Sequence, residues 1–105
     1  GVDALGIFDG VVKHFPQMEG LKVPHMGWNT IAQTNSGLFK GFDKEEFVYF
    51  VHSFYVPVNK DTAAVTNYIL PFSAALHKDN FYATQFHPEK SGAVGERILR
   101  NFLEL

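Results

Sequence analysis

The stretch Phe81-Tyr82-Ala83-Thr84-Gln85-Phe86-His87-Pro88-Glu89-Lys90-Ser91-Gly92 decides how the chain is read. Residues 81–86 are apolar and aromatic and have strand character. In extended backbone, residues i and i+2 point to the same side. His87 and Glu89 therefore face one way, with the carboxylate placed to bond one imidazole nitrogen and fix its tautomer. That is a general base with its orienting acid. Pro88, with its locked φ, holds its predecessor extended and gives the pair a stiff backbone. A pair of this kind usually serves a thiol, and this sequence contains no cysteine. The spacing alone is equally met by a hydrogen-bonded structural histidine at a strand end and a solvated loop carboxylate.

Beyond this stretch, Ser91 is a good helix N-cap. Val94, Ile98 and Phe102 fall at i, i+4 and i+8 with Leu99 and Leu103 alongside. Arg97, Arg100, Asn101 and Glu104 take the other face, which predicts a terminal amphipathic helix of about four turns. Before the stretch, His77-Lys78-Asp79-Asn80 has hairpin-turn chemistry, and residues 63–70 and 72–76 read as short strands. Residues 46–58 carry the strongest β signal. Phe47, Tyr49, Val51, Ser53 and Tyr55 take one face, and Val48, Phe50, His52, Phe54 and Val56 the other, so a strand covered on both sides is expected. Residues 34–44 are polar and Gly-punctuated, hence loop. Residues 23–31 form a strand interrupted by Pro24 and Gly27, at an edge or with a bulge. Residues 11–15 form another that ends at Pro16.

With 46% hydrophobic residues, 15% aromatics and eleven Phe, 105 residues suffice for one packed domain or part of one, which excludes a disordered chain. A formal charge of −2 with scattered basic residues gives no electrostatic footprint for nucleic acid or a membrane surface. No run of about 18 apolar residues and no basic-then-apolar leader occurs, so the chain reads as soluble and cytoplasmic. Without cysteine there are no disulfides and no thiolate metal sites. His14, His25, His52, His77 and His87 are spread out, none two at helical ligand spacing, so no metal and no cofactor are expected. The chain opens Gly1-Val2-Asp3 without Met and reaches strand-like sequence almost at once, and it is expected to be a fragment of something longer.

Two further clusters stand out. Pro24-His25-Met26-Gly27-Trp28-Asn29 is either edge packing around a bulge or a partner surface anchored by Trp28. Tyr49-Phe50-Val51-His52-Ser53-Phe54-Tyr55 is core strand by pattern. Ser53 and the backbone beside it would contact a small polar substrate if this strand ends at a pocket.

Taken together, Pro24-His25-Met26-Gly27-Trp28-Asn29, Phe50-Val51-His52-Ser53 and Gln85-Phe86-His87-Pro88-Glu89-Lys90-Ser91 resemble the glutamine amidotransferase subunit of imidazole glycerol phosphate synthase. Gly6-Ile7-Phe8-Asp9-Gly10-Val11-Val12 fits the same family. The His-Pro-Glu motif is shared by class I, triad-type amidotransferases in general, and the Trp28 cluster narrows the likeness to the histidine-pathway subunit. The resemblance runs along residues 1–105 but covers roughly the C-terminal half of the family's domain. It implies the C-terminal portion of a flavodoxin-like α/β domain, strand-rich with a C-terminal helix.

The resemblance also implies a chemistry. A cysteine attacks the glutamine side-chain amide, His87 acts as general base and then acid, and Glu89 orients it. Ser53 and Phe54 line the glutamine pocket, with Phe54 where many relatives carry Tyr. His25, Met26, Gly27, Trp28 and Asn29 face a (β/α)8-barrel cyclase subunit, which takes the ammonia in a heterodimer of histidine biosynthesis. The nucleophile is absent from these residues. Ser91, engaged as an N-cap, is not a substitute, so the chain alone is expected to be inactive and, with apolar faces uncovered, to self-associate. The rival readings are a different class I amidotransferase subunit, a non-catalytic partner-binding module and a free-standing metal-dependent enzyme.

Overall fold

Among the described residues, alternating β-branched and aromatic residues build seven strands, and an amphipathic helix follows them. A computed structural model describes residues 12–105. The strands are β1 (Lys13–His14), β2 (His25–Ile31), β3 (Glu46–His52), β4 (Phe54–Tyr55), β5 (Thr62–Tyr68), β6 (Leu70–Lys78) and β7 (Phe81–Thr84), followed by helix α1 (Gly92–Leu103). All described pairs are antiparallel: β1 with β4, β2 with β3, and β5-β6-β7 in that order. A single bridge, Ala32 to Val65, ties the end of β2 to β5. The strand-rich body with a C-terminal helix is the architecture expected. Residues 1–11, with most of the opening motif and the start of the first expected strand, lie outside the described residues.

The core is aromatic. Phe15, Phe50, Phe72 and Phe86 meet Ile31, Val48, Ile98 and the alanines of β5 and β6 in one buried cluster. Each fully buried Phe side chain contributes about 1.5–3 kcal/mol through removal from water, so these rings outweigh any surface ion pair in the molecule.

Several local expectations are corrected. The strand over 46–58 is broken at Ser53, because the chain there leaves its ladder with β2 and joins β1; the Ser53 carbonyl accepts from Phe15 N–H at 3.1 Å. Nor is β3 covered on both sides among the described residues. Val48, Phe50 and His52 are buried, whereas Phe47 is 58% exposed, and on the same face Met26 and Trp28 of β2, opposite Val51 and Tyr49, are 63% and 55% exposed. Of the two expectations for residues 23–31 the edge strand holds, since β2 pairs with β3 in a two-stranded sheet, and the bulge does not: the register is one-to-one from His25–His52 to Ile31–Glu46, Pro24 precedes the ladder, and Gly27 takes φ +125° within it. The expected loop over 34–44 contains a 3-10 turn, Gly37–Phe39, that buries Leu38 and Phe39. Helix α1 presents Val94, Gly95 and Ile98 inward, while Leu99 and Leu103 face solvent. Asn101, assigned to the polar face, points back and donates to the carbonyls of Leu38 and Lys40 at 2.9 and 3.1 Å. No helix of the described residues is long and apolar enough to cross a membrane.

Candidate functional site

β7 ends at Thr84, and the chain then runs along the free edge of β3. His87 N–H donates to the Tyr49 carbonyl at 2.9 Å, and Tyr49 N–H donates to the Ser91 hydroxyl at 2.9 Å. In an antiparallel strand alternate residues direct both backbone groups to the same edge, and for Tyr49 that edge is filled by residues 87–91. Ser91 stands at the N-cap position of α1, yet its hydroxyl caps nothing. It donates instead to the His87 carbonyl and serves as a ladder partner for β3. The capping role expected of Ser91 is thus replaced by a bridging one, because the hydroxyl is taken up by the otherwise orphaned donor on Tyr49.

His87 is extended (φ −103°, ψ 99°), and residues Pro88–Lys90 close into a 3-10 turn. That turn swings Glu89 back so that its Oε1 lies 3.2 Å from His87 Nδ1. The two side chains do come together, although through a tight turn rather than i, i+2 alternation along a strand. With Nδ1–H donated to the carboxylate, Nε2 carries the free lone pair and is the basic atom. Both side chains are accessible, 40% and 58% exposed, so solvent screening leaves the contact little weight in stability. Its effect is to select a tautomer. Gly95 holds this turn against α1: a Cβ there would lie 1.9 Å from the Pro88 carbonyl oxygen, so only glycine permits the approach.

Ser53 and Phe54 border a cavity of about 590 Å³ that is also lined by Val12, His52, Tyr55 and Gln85. His87 and Glu89 do not line it. Gln85, which lines the cavity two residues before His87, links the two places along the chain, and His52 also borders the cavity. His52 in turn belongs to a buried pair: His25 Nδ1 lies 2.9 Å from His52 Nε2, and both rings are buried, at 3% and 8% exposure. His25 is stacked between Phe50 and Tyr68, with ring centroids at 4.7 and 4.0 Å. Burial, followed by the neighbouring His52, pushes the His25 pKa down to about 4. Burial also lowers that of His52, opposed by its bond to the Phe54 carbonyl and assisted by His87. Both imidazoles are therefore neutral at physiological pH.

The surface expected over His25–Asn29 consequently divides. Met26 and Trp28 face outward, Trp28 edge-on to Tyr49 at 5.8 Å, whereas His25 faces the core. Asn29 is half-buried and donates to the Asn67 carbonyl at 3.1 Å. Sequence reading missed the His25–His52 contact, because the two residues stand 27 apart and meet only through the β2–β3 register. Among the described residues no three His, Cys, Asp or Glu side chains gather in a metal-holding group.

Residues 4–105 match the family profile described as glutamine amidotransferase class-I. The chain is 75% identical over 105 residues to the imidazole glycerol phosphate synthase subunit HisH of Bacteroides thetaiotaomicron, covering 99% of this chain and 54% of that protein. Against the HisH subunit of Escherichia coli strain K12 the identity is 52% over 106 residues, covering 100% of this chain and again 54% of the relative. The chain thus spans about half the length of the curated relatives it matches. Among solved structures, a Thermoplasma acidophilum protein described as a candidate subunit of GMP synthase superposes with a TM-score of 0.71 at 25% identity, over 97% of this chain and 50% of that one. With a class I profile matched along nearly all its residues, and a strand-rich body that leads through the His-Pro-Glu turn into a C-terminal helix, the chain belongs to the class I glutamine amidotransferase family.

Proposed function

We propose that the protein carrying this chain is the glutaminase subunit of imidazole glycerol phosphate synthase, hydrolysing glutamine to glutamate and ammonia for a cyclase subunit. The observation that carries this reading is the 3.2 Å contact of His87 Nδ1 with Glu89 Oε1, which leaves Nε2 free as a base. The 75% identity to a HisH subunit selects the pathway.

In this reading His87 Nε2 takes the proton of a cysteine thiol supplied from outside these residues. The sulfur attacks the side-chain carbonyl carbon of glutamine, and His87 returns the proton to the departing ammonia as the C–N bond breaks. Water, activated by the same imidazole, then cleaves the thioester. Glu89 holds Nδ1–H throughout and stabilises the imidazolium. Ser53 and Phe54 border the glutamine pocket. Met26 and Trp28, exposed on β2 beside Phe47 and Val51, are the face for a (β/α)8-barrel cyclase. Such an apolar patch suits burial against a partner and makes the isolated chain prone to self-association. The protein acts in the cytoplasm and needs no cofactor.

Glutamine hydrolysis is measured for the chain alone, then with the complementary cysteine-bearing half, then with the cyclase added. Turnover only in the mixtures is expected. Turnover by the chain alone would mean that the nucleophile, and with it the mechanism, is misassigned. Turnover with a different synthase partner in place of the cyclase would assign another class I subunit.

A further inference from the structure

The buried imidazoles of His25 and His52 are not used by the chemistry above, and their hydrogen bonds leave no freedom of assignment. The Phe54 carbonyl, 2.9 Å from His52 Nδ1, only accepts, so His52 carries its proton on Nδ1. His52 Nε2 is then an acceptor, and His25 Nδ1, 2.9 Å away, must donate to it. That leaves His25 Nε2 as an acceptor, facing the Asn29 amide nitrogen at 3.4 Å. The Asn29 amide is fixed in the same sense, since its nitrogen donates to the Asn67 carbonyl and its oxygen accepts from Thr30 N–H at 2.8 Å. One direction of donation runs through four residues: Asn29 to His25 to His52 to Phe54.

The relay ends where the expected strand over residues 46–58 is broken. β3 stops at His52, Ser53 bends, and β4 starts at Phe54 in a new ladder with β1. The His52 side chain spans that corner from the residue before it to the residue after it. Phe15, Phe50 and Phe72 pack around the His52 ring, with centroids at 5.2, 5.3 and 5.0 Å, and favour its orientation toward the Phe54 carbonyl. We propose that His52, held in its Nδ1–H tautomer by His25 and Asn29, is a positioning residue that pins the Phe54 carbonyl and thereby sets the Ser53–Phe54 corner of the substrate pocket. The assignment rests on the glutaminase reading for the identity of that substrate; the hydrogen-bond relay itself does not.

Two substitutions in the natural full-length protein, assayed with its cyclase partner, separate positioning from packing. His52→Asn places an amide nitrogen where Nδ1 stands and keeps the bond to Phe54. His52→Gln reaches the position of Nε2, keeping the His25 contact and losing the Phe54 bond. Both remove the same ring from the core and lower the melting temperature alike. Expected is a glutamine KM raised about three- to tenfold in His52→Gln, the worth of one neutral hydrogen bond, with kcat nearly unchanged, against a change within about twofold in His52→Asn. Amide exchange at Ser53 and Phe54 accelerates in the Gln variant alone. Parallel changes in the two variants overturn the assignment, as does a wild-type imidazole nitrogen spectrum with the His52 proton on Nε2. A wild-type protein that turns over no glutamine defeats the glutaminase reading instead, and the spectrum and the exchange contrast then decide the positioning role by themselves.

Discussion

Replacing Ser91 by Ala tests whether one hydroxyl joins β3 to the turn that carries His87 and Glu89. Ser91 is 1% exposed, and its oxygen is the partner of Tyr49 N–H. Alanine leaves that donor facing a buried methyl instead of an acceptor, at about 1–3 kcal/mol. The bond donated to the His87 carbonyl is lost as well, at about 0.5–1.5 kcal/mol, softened because that carbonyl still accepts from Lys90 N–H at 3.0 Å. The sum predicts a loss of roughly 2–3 kcal/mol in urea unfolding of the natural full-length protein, with an unchanged m-value. His87 is then held to β3 by one hydrogen bond instead of two routes, and kcat falls with stability. Ser91→Asp discriminates the bridge from a helix cap. Aspartate is an excellent cap and would restore stability if capping were the role; here, although it can accept from Tyr49 N–H, its charge would be buried at a position 1% exposed and facing the His87 carbonyl, to which it cannot donate, so it fails to rescue. A Ser91→Ala loss under about 0.5 kcal/mol, or full rescue by Asp, refutes the bridging account.

Gly95→Ala drives a methyl into the Pro88 carbonyl, and despite the better helix propensity of Ala it destabilises by about 1–3 kcal/mol in urea titration and lowers kcat by displacing the His87–Glu89 turn. His87→Ala reduces kcat by about 10²- to 10⁴-fold, yet shifts the unfolding midpoint little because the side chain is 40% exposed and its contact with Glu89 is solvated. Acid acts through the buried pair. The folded pKa of His25, about 4, lies below its ordinary 6.5, so the unfolded chain binds the proton first. The stability is complete above pH 6.5 and is lost as pH falls toward 4, by on the order of 3 kcal/mol, with His52 adding loss in the same direction. Melting curves at pH 7, 5.5 and 4.5 check this, and a flat profile contradicts it.

Much of the site was legible in the sequence for local reasons. His87, Glu89 and the helix from residue 92 are set by a Pro, a Gly and a helical period within about 20 residues, and such short-range signals survive in one dimension. The division of β3 was not. Nothing in Phe50-Val51-His52-Ser53-Phe54 marks the residue at which one ladder is exchanged for another, because that depends on where β1 and β2 lie. The same holds for Ser91, whose sequence context reads as a cap, while its partner is an amide 42 residues earlier. The apolar alternation of residues 46–58 predicts two covered faces, and an exposed apolar face is indistinguishable in pattern from one packed on the core.

Trp28 gives that outward face an optical label. It is the sole tryptophan of these 105 residues, more than half exposed, with Tyr49 beside it and facing Gly92 at the start of α1, where an added Cβ would lie 4.0 Å from its ring. Its emission therefore reports solvent at a single spot, between the β2–β3 hairpin and the turn that carries His87. A shift to the blue when another molecule settles on the hairpin measures occupancy of this face directly, and the same ring, excited through Tyr49, senses any loosening of the strand edge from the His87–Glu89 turn.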